Sequence, residues 1–384
     1  MKKIPMLKGY DYRKEDFVKA NLNGDLVRVG LNINCRICNL NCPYCFIEGG
    51  KLQESNKELI NKEVASVEEV KNWIIQAEEL NTKTIVIDGN YEPLTNREDL
   101  INIIDCIYHL GIQVILITNM LLLDEELVQI LNKYKVSILG KLNVPIVMEN
   151  HKKYKEYAYI QSYLTGGKIN NVYQKLQDKI NMLINAGFAK EETNGDFVTT
   201  RLGIETVIVR ENYPYIQELY MQMIKKNIYV HAERVKPQGA ASDSQFYITA
   251  DKIKTLNEKL KEECEKEGYE TCVTNPVYLQ NRCLNHMATI NINIYGEVIP
   301  CPSVDLIVGN LKKETMRSIL NNKYMNILRN LPQYIAEPCK SCTLLKNLDC
   351  YGGCRGFVFS KMLLEKKDIL SALTEADISC WRAN

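Results

Sequence analysis

The sequence has almost no net charge and no long apolar segment. Lys and Arg total 48 against 47 for Asp and Glu, so no overall field attracts nucleic acid or an anionic membrane. The apolar run Val114–Leu123 is interrupted by Thr118 and Asn119, and it falls short of the roughly 18 residues that a membrane helix needs. The basic N-terminus has no apolar stretch of signal-peptide length. We therefore expect a cytoplasmic protein that binds neither nucleic acid nor membranes.

Internal repeats and low-complexity segments are also absent, which excludes a repeat array and a long disordered tract. With 384 residues, of which 46% are hydrophobic, the chain can bury a sizeable core. We expect one large domain followed by a smaller one.

Cysteine, in contrast, is abundant, with 14 residues in the chain. A reducing cytosol would keep these thiols free, and a core of this size needs no disulfides. The cysteine count therefore predicts metal or cluster ligation, together with sensitivity to oxygen.

Short β-branched runs alternate with longer amphipathic segments from Leu26 to Arg234. The predicted strands are Val27–Asn34, Thr84–Asp88, Gln113–Thr118, Val136–Asn143, Thr206–Val209 and Ile228–Glu233. The predicted helices are Val67–Leu80, Arg97–Leu110, Asp124–Tyr134, Asn171–Ala186 and Tyr213–Lys226. This alternation predicts an α/β fold, a parallel sheet curved into a partial, open β/α barrel, with ligands at the carboxyl ends of its strands.

The alternation weakens after the sixth predicted strand, and a cysteine-rich tail follows. The composition predicts four parts: an N-terminal arm at 1–25, the barrel at 26–237, a linker loop and helix at 238–280, and a small cluster-binding domain at 281–384.

Three cysteines lie in one short loop directly after a predicted strand: Cys38, Cys42 and Cys45, with Tyr44 before the last. Three thiolates can hold three irons of a [4Fe–4S] cluster and leave the fourth iron open to another ligand. A structural zinc site is the alternative, but zinc favours four ligands in paired C-x-x-C spacing, and no histidine lies nearby. Cys35 could compete as a ligand, although the spacing favours the other three.

The gaps of three and two residues in this loop resemble the signature of the radical S-adenosylmethionine (radical SAM) superfamily. The resemblance implies that the methionyl amine and carboxylate of S-adenosylmethionine chelate the open iron. One electron, supplied by an external donor such as flavodoxin or ferredoxin, would then cleave the sulfonium. The resulting 5′-deoxyadenosyl radical abstracts hydrogen from the substrate.

The resemblance also implies contacts to S-adenosylmethionine at the carboxyl ends of the strands. In the superfamily a Gly-Gly-Glu-Pro stretch binds the methionyl amine, and the segment here matches at Glu92-Pro93 but departs from the twin glycine. The implied cofactor-binding residues are Tyr44, Gly89, Glu92, Pro93, Thr118, Asn119, Lys141 and Asn143. Glu233, on the sixth predicted strand, is a candidate for a catalytic acid that faces the substrate.

A second cysteine array occupies the tail, and it comprises Cys283, Cys301, Cys339, Cys342, Cys350, Cys354 and Cys380. The order resembles the SPASM domain, which usually houses two auxiliary [4Fe–4S] clusters. The departure is a spacing of seven residues, where the family has five, between Cys342 and Cys350. A zinc ribbon is the alternative, because the pair Cys339-x-x-Cys342 alone would suit one.

Carried over position by position, the SPASM resemblance implies two ligand sets. The outer cluster would be held by Cys339, Cys342, Cys350 and Cys380. The inner cluster would be held by Cys283, Cys301 and Cys354, and its fourth ligand stays open between Cys272, His286 and no protein residue.

The combined resemblance implies a radical SAM enzyme of oxidoreductase or epimerase type. SPASM enzymes act mainly on ribosomal peptides and proteins or on small polar metabolites. Sulfatase-maturing members place an acid after the cysteine that corresponds to Cys301, where this chain has Pro302. We expect dehydrogenation or epimerisation of a sugar or aminocyclitol, with Cys272 as a candidate hydrogen-atom donor. A peptide substrate is the alternative, and a non-enzymatic iron–sulfur carrier or regulator is the alternative of another class.

Overall fold

The computed structural model describes residues 1–33, 37–46, 62–88, 91–194, 197–242, 244–271, 283–377 and 380–381. The predicted open, parallel α/β barrel is confirmed, and it is followed by a C-terminal cysteine-rich region. The strands are β1 (Met6–Leu7), β2 (Arg28–Leu31), β3 (Thr84–Ile87), β4 (Gln113–Thr118), β5 (Ser137–Lys141), β6 (Glu192–Asn194), β7 (Phe197–Thr200), β8 (Leu202–Ile208), β9 (Tyr229–Arg234), β10 (Thr289–Ile292), β11 (Glu297–Ile299) and β12 (Gly309–Asn310).

Helices cover the outer face of the sheet and continue into the C-terminal region. They are α1 (Lys14–Asn23), α2 (Val67–Glu78), α3 (Arg97–His109), α4 (Glu125–Lys133), α5 (Tyr154–Leu164), α6 (Val172–Asn185), α7 (Ile216–Ile224), α8 (Ala250–Lys266), α9 (Asn285–Ala288), α10 (Met316–Leu320), α11 (Lys323–Arg329), α12 (Thr343–Lys346), α13 (Arg355–Leu364) and α14 (Ile369–Thr374). No helix within these described ranges combines the length and apolar character needed to cross a membrane.

The main sheet has the strand order β12-β11-β10-β2-β3-β4-β5-β8-β9. All neighbours from β10 to β9 are parallel, whereas β11 and β12 pair in antiparallel fashion. Strand β10 comes from the cysteine-rich region and pairs along its whole length with β2. The C-terminal region therefore shares one continuous sheet with the barrel.

The predicted helix starts agree with the capping chemistry. The Ser66 hydroxyl accepts a hydrogen bond from the backbone N–H of Glu69, and the Glu69 carboxylate accepts one from the backbone N–H of Ser66, which together form a capping box. One predicted helix was wrong at its start: residues 213–215 form a 3₁₀ turn around Pro214, and α7 begins only at Ile216. Proline lacks the N–H that a helix interior uses.

Sequence patterns did not predict α1, α5 or the β6–β7 hairpin, which pairs with β1 in a separate three-stranded sheet. Helix α1 buries only Phe17 and Ala20, so its apolar stripe is too sparse to register as a periodic pattern. The strand predicted at Thr206–Val209 also began too late, because β8 already starts at Leu202.

An apolar plug closes the lower end of the barrel, where the strands begin. Its buried members are Leu7, Val86, Ile115, Leu139 and Tyr229. Leu7 comes from the N-terminal segment, which is tied to the strands by hydrogen bonds such as that from the Ser137 hydroxyl to the Lys8 carbonyl (2.9 Å). Polar side chains therefore gather above the plug, toward the carboxyl ends of the strands.

Candidate active site between two cysteine groups

One cavity of about 250 Å³ opens above the plug. Its wall combines the Cys38 loop, the carboxyl ends of the strands and residues 301–303 of the C-terminal region. The predicted site residues that line it are Cys38, Cys42, Tyr44, Cys45, Glu92, Thr118, Asn119, Lys141, Asn143, Glu233 and Cys301. Pro93 is buried beside this wall without lining it, while Gly89 and Cys272 lie outside the described residues.

The three thiols of the Cys38 loop lie near enough to influence one another electrostatically. The backbone N–H of Cys45 donates to the carbonyl of Cys42 (3.1 Å). Burial, together with the neighbouring Cys45 and Cys38 thiols, raises the pKa of Cys42 to about 12. Thiols crowded in this way bind metal only with loss of their protons, which is the behaviour expected of cluster ligands.

Two glycines that the sequence analysis did not single out support this loop. A Cβ at Gly166 would lie 2.3 Å from the Asn41 carbonyl oxygen, and one at Gly239 would lie 2.4 Å from the Phe46 carbonyl oxygen. Both glycines have positive φ, +88° and +56°, which other residues rarely adopt. The available signal was local: Gly166 belongs to the pair Gly166-Gly167, and Gly239 follows Pro237-Gln238.

Glu92 takes part in a hydrogen-bond network that connects the end of β4 to the Cys38 loop. One carboxylate oxygen accepts hydrogen bonds from the Leu94 N–H (3.2 Å) and the Thr118 hydroxyl (2.5 Å), and the other accepts from the Asn119 N–H (2.8 Å). The Asn119 amide in turn donates to the Asn39 side chain (2.6 Å). Burial raises the pKa of Glu92 despite these bonds. The carboxylate is thus bound to the chain itself, in a network that reaches the cysteine loop.

Tyr44 and Asn143 form a second buried link. The Tyr44 hydroxyl donates to the Asn143 side-chain oxygen (3.0 Å), and the Asn143 backbone N–H donates to Gln161 (2.9 Å). Within the described part of the chain, the buried Asn143 Nδ2 has no hydrogen-bond partner. A buried donor of this kind normally has a partner, so the site fits a bound cofactor that offers an acceptor here.

A charged row crosses the cavity because three residues are in register on adjacent strands. Lys141 on β5 lies beside Glu205 on β8, which lies beside His231 on β9. Lys141 forms an ion pair with Glu205, which outweighs the effect of burial and raises the pKa of Lys141. Burial lowers the pKa of His231. Glu205 and His231 were missed by motif reasoning. Alternation along the predicted strand Ile228–Glu233 points His231 inward, whereas Glu205 precedes the strand predicted at Thr206–Val209.

Glu233 lies two residues beyond His231 on the same face and forms an ion pair with Lys236 (2.9 Å). Burial alone would raise the pKa of Glu233, but the charges of Lys236 and His231 lower it. The Lys236 ammonium also lies 5.5 Å from the centre of the Phe46 ring. This pair therefore spans the cavity between the first cysteine loop and the C-terminal region.

The structure places C-terminal cysteines in two groups. Cys339, Cys342, Cys350 and Cys380 line a separate small cavity together with Asp377. In the other group, burial and then the neighbouring Cys301 and Cys354 thiols raise the pKa of Cys283 to about 12. The donor sets suit iron–sulfur clusters, which favour thiolates.

His286, a candidate for the open inner ligand, is buried, and its Nδ1 has no hydrogen-bond partner among the described residues. Burial and the nearby Arg355 guanidinium lower its pKa to about 3, so the imidazole is neutral. Its chemistry is compatible with ligation, but it does not line the main cavity.

Models of two protein families match the chain. That of the radical SAM superfamily matches residues 33–158, and that of SPASM, an iron–sulfur cluster-binding domain, matches residues 283–343. The chain contains a radical SAM domain and a SPASM domain. It is thus a radical SAM enzyme whose cofactors are S-adenosylmethionine with its [4Fe–4S] cluster and auxiliary [4Fe–4S] clusters, as the cysteine arrays predicted.

Known relatives span most of the chain at low identity. The AdoMet-dependent heme synthase of Methanosarcina barkeri is 21% identical over 351 residues, which are 84% of this chain and 89% of that protein. The structure of Streptococcus suis SuiB bound to S-adenosylmethionine has a TM-score of 0.65 at 16% identity and covers 96% of this chain and 80% of its own. The structure of native anSMEcpe with bound AdoMet has a TM-score of 0.62 at 16% identity, and the match covers 86% of this chain and 89% of that one. These structures establish the fold.

Proposed function

We propose that this radical SAM enzyme abstracts hydrogen from a carbon–hydrogen bond of a small polar metabolite, of the sugar or aminocyclitol type, in a dehydrogenation or epimerisation. The observation that carries the proposal is a cavity lined at one side by the Cys38 loop and at the other by Cys301. Its interior presents the charged row of Lys141, Glu205 and His231, which suits a polar substrate.

In this proposal the chain's residues have distinct tasks. Cys38, Cys42 and Cys45 hold the first cluster, which with bound S-adenosylmethionine supplies a 5′-deoxyadenosyl radical. The Glu92 network keeps Thr118 and Asn119 in position, and Asn143 offers its buried amide to the cofactor. Glu233, oriented by Lys236, faces the substrate as a hydrogen-bond acceptor for a hydroxyl or ammonium group.

The auxiliary sites support a net oxidation. Cys301 contributes both to the cavity wall and to the inner cysteine group, so a substrate in the cavity lies next to an inner-cluster ligand. A cluster at this position can accept an electron from a substrate radical, as dehydrogenation requires. Reduction of the cluster that Cys38, Cys42 and Cys45 would hold would need an external donor such as flavodoxin or ferredoxin.

A ribosomal peptide is the second candidate substrate, and similar folds favour it. SuiB has been solved bound to its precursor peptide SuiA, and anSMEcpe has been solved with the Cp18Cys peptide, both at 16% identity to this chain. Peptide recognition would need the mouth of the cavity to admit an extended backbone.

The deciding assay follows 5′-deoxyadenosine in anaerobic protein reconstituted with iron and sulfide, given dithionite and S-adenosylmethionine. We expect formation by the wild type and none by the variant Cys38→Ala/Cys42→Ala/Cys45→Ala. Addition of sugars or aminocyclitols should then accelerate turnover. Chromatography coupled to mass spectrometry should find either a product two mass units lighter or an epimer, which has the mass of the substrate and a different retention time. Turnover that depends on a peptide would contradict the metabolite proposal. No 5′-deoxyadenosine from iron-loaded wild type would contradict radical chemistry and favour an electron carrier.

A further inference from the structure

Arg28 lies deep in the cavity, below the cofactor end. It is the first residue of β2, about 10 Å before the carboxyl end of that strand at 3.3 Å per residue, and it is 7% exposed. Arg28 lines the cavity, and its guanidinium donates to the Tyr10 carbonyl (2.9 Å) and to the Asn285 side-chain oxygen. The Tyr10 ring lies 4.5 Å from the guanidinium carbon.

Arg28 differs from the two lysines that line this cavity, because each lysine forms an ion pair with a carboxylate. Lys141 is paired with Glu205, and Lys236 with Glu233. Across the ranges that the structure describes, no carboxylate forms an ion pair with Arg28. A buried guanidinium without a counter-charge is costly, and two hydrogen bonds engage only part of its five N–H groups. An anionic ligand group would supply the counter-charge and occupy the remaining donors.

Neighbouring polar side chains extend the same end of the cavity. Gly30 lies on the same face of β2, and a Cβ there would lie 1.7 Å from the Asn291 side-chain oxygen, so the glycine makes room for Asn291. Thr289 and Asn285 line the cavity beside it. The Thr289 hydroxyl donates to the Asn285 carbonyl (2.7 Å), so the groups that can donate to a ligand are the side-chain amides of Asn285 and Asn291. Amide donors next to a guanidinium form a suitable environment for carboxylate or phosphate oxygens.

We propose that Arg28, with the side-chain amides of Asn285 and Asn291, forms a subsite for an anionic oxygen group of the substrate, a carboxylate or a phosphate. The subsite deepens the proposed function and rests on it, because it anchors the substrate at the end of the cavity remote from the first cysteine loop. It also implies that neutral sugars lacking such a group bind poorly.

A competing role for Arg28 is that of counter-charge to the inner cysteine group. Its positive charge favours the thiolate of Cys283, although burial and Cys301 have the larger effects on that thiol. The two roles make different predictions. A subsite requires ligand affinity to depend on Arg28, whereas a counter-charge requires the inner cluster to depend on it.

The test uses anaerobically reconstituted holoenzyme saturated with S-adenosylmethionine, so that the cofactor's own carboxylate site is filled. The probes are propionate, methyl phosphate and the neutral propionamide, with binding measured by broadening of their methyl proton resonances. We expect one anion to bind more tightly than propionamide and to lose about tenfold or more in affinity in Arg28→Gln. Arg97→Gln, on the exposed surface, should bind like the wild type. The preferred anion identifies a carboxylate or a phosphate.

Unchanged anion affinity in Arg28→Gln, or equal binding of propionamide, would overturn the subsite. A shifted inner-cluster reduction potential with unchanged anion affinity would also overturn it, in favour of the counter-charge role. Should Arg28→Gln fail to fold, Asn291→Ala keeps the guanidinium and should still weaken the anion several-fold. Formation of 5′-deoxyadenosine, followed in the same samples, reports separately on the proposed function, since its absence would leave the binding result intact.

Discussion

At the scale of single residues, Glu92 illustrates how a motif residue acts through its neighbours. The Glu-Pro segment led to the expectation of a contact with the methionyl amine. In the structure its carboxylate accepts three hydrogen bonds from Leu94, Thr118 and Asn119. A buried carboxylate held by this many donors is rigid, so it positions the strand ends that surround the cofactor.

We expect Glu92→Gln to weaken S-adenosylmethionine binding by about tenfold, because one carboxylate acceptor becomes an amide donor that faces other donors. The affinity can be measured by equilibrium dialysis of the reconstituted protein. Glu218→Gln is a matched control, because Glu218 pairs with Lys153 at a half-exposed site outside the cavity wall. Equal affinities in the two variants would contradict a positioning role for Glu92.

The polar row is a residue-scale feature that motif reasoning did not find. Lys141 was predicted as a cofactor contact, but its ion pair with Glu205 depends on the register of β5 and β8. The alternation of side chains along each strand is readable from sequence, whereas the stagger between strands is not.

At the scale of elements, the Thr165–Gly167 turn after α5 supports the Cys38 loop. The Asn41 N–H donates to the Thr165 carbonyl (3.3 Å), and Gly166 packs directly on the Asn41 carbonyl. The next residue, Gly167, also has positive φ, but a Cβ there would meet no atom within 4 Å. Substitutions at Gly166 and Gly167 therefore distinguish backbone strain, which both would cause, from steric contact with the loop, which only a side chain at Gly166 would make.

Gly166→Ala should therefore lower both thermal stability and the iron content of the first site, because the added methyl displaces Asn41. Gly167→Ala carries a comparable conformational cost of about 1 kcal/mol without that displacement. We expect the iron content, determined after anaerobic reconstitution, to fall only in Gly166→Ala. If both variants load iron equally, the turn does not support the cluster loop.

Element prediction succeeded where patterns are local. The starts of α2, α3 and α4 follow from the capping side chains of Ser66, Asn96 and Asp124. It failed for α1 and the β6–β7 hairpin, whose stability comes from packing against distant segments rather than from their own periodicity.

At the scale of the whole molecule, the barrel and the C-terminal region share one β-sheet and one hydrophobic core. Strand β10 extends the barrel sheet beside β2. A second core joins Phe17 and Val27 of the N-terminal part to Leu284 and Met287 of the C-terminal part. The sequence-based division at 281 therefore marks a change in composition, and we propose that it is not a boundary between independently folding units.

A chain ending at residue 280 should lose the pairing partner of β2 and half of that second core. We expect it to aggregate, or to be degraded rapidly by protease, since it exposes a central strand edge and buried apolar surface. Soluble yield and limited proteolysis provide the measurement. The full-length variant Cys339→Ser/Cys342→Ser is the control, because it removes outer ligands and keeps the sheet. Cooperative thermal unfolding of the short chain would contradict the shared core.

The sequence by itself determined the chemistry of the cysteines and the α/β class. Both are encoded locally: ligand spacing within one loop decides which thiols can meet at one metal centre, and apolar periodicity decides strand or helix. Only the tertiary structure decided what surrounds those clusters. The Lys141–Glu205–His231 row depends on the register between strands. The cavity shared by the Cys38 loop and Cys301, and the surroundings of the buried Arg28, depend on residues more than 200 positions apart being packed together. Such contacts arise from the summed burial of the core, so no short stretch of sequence contains them.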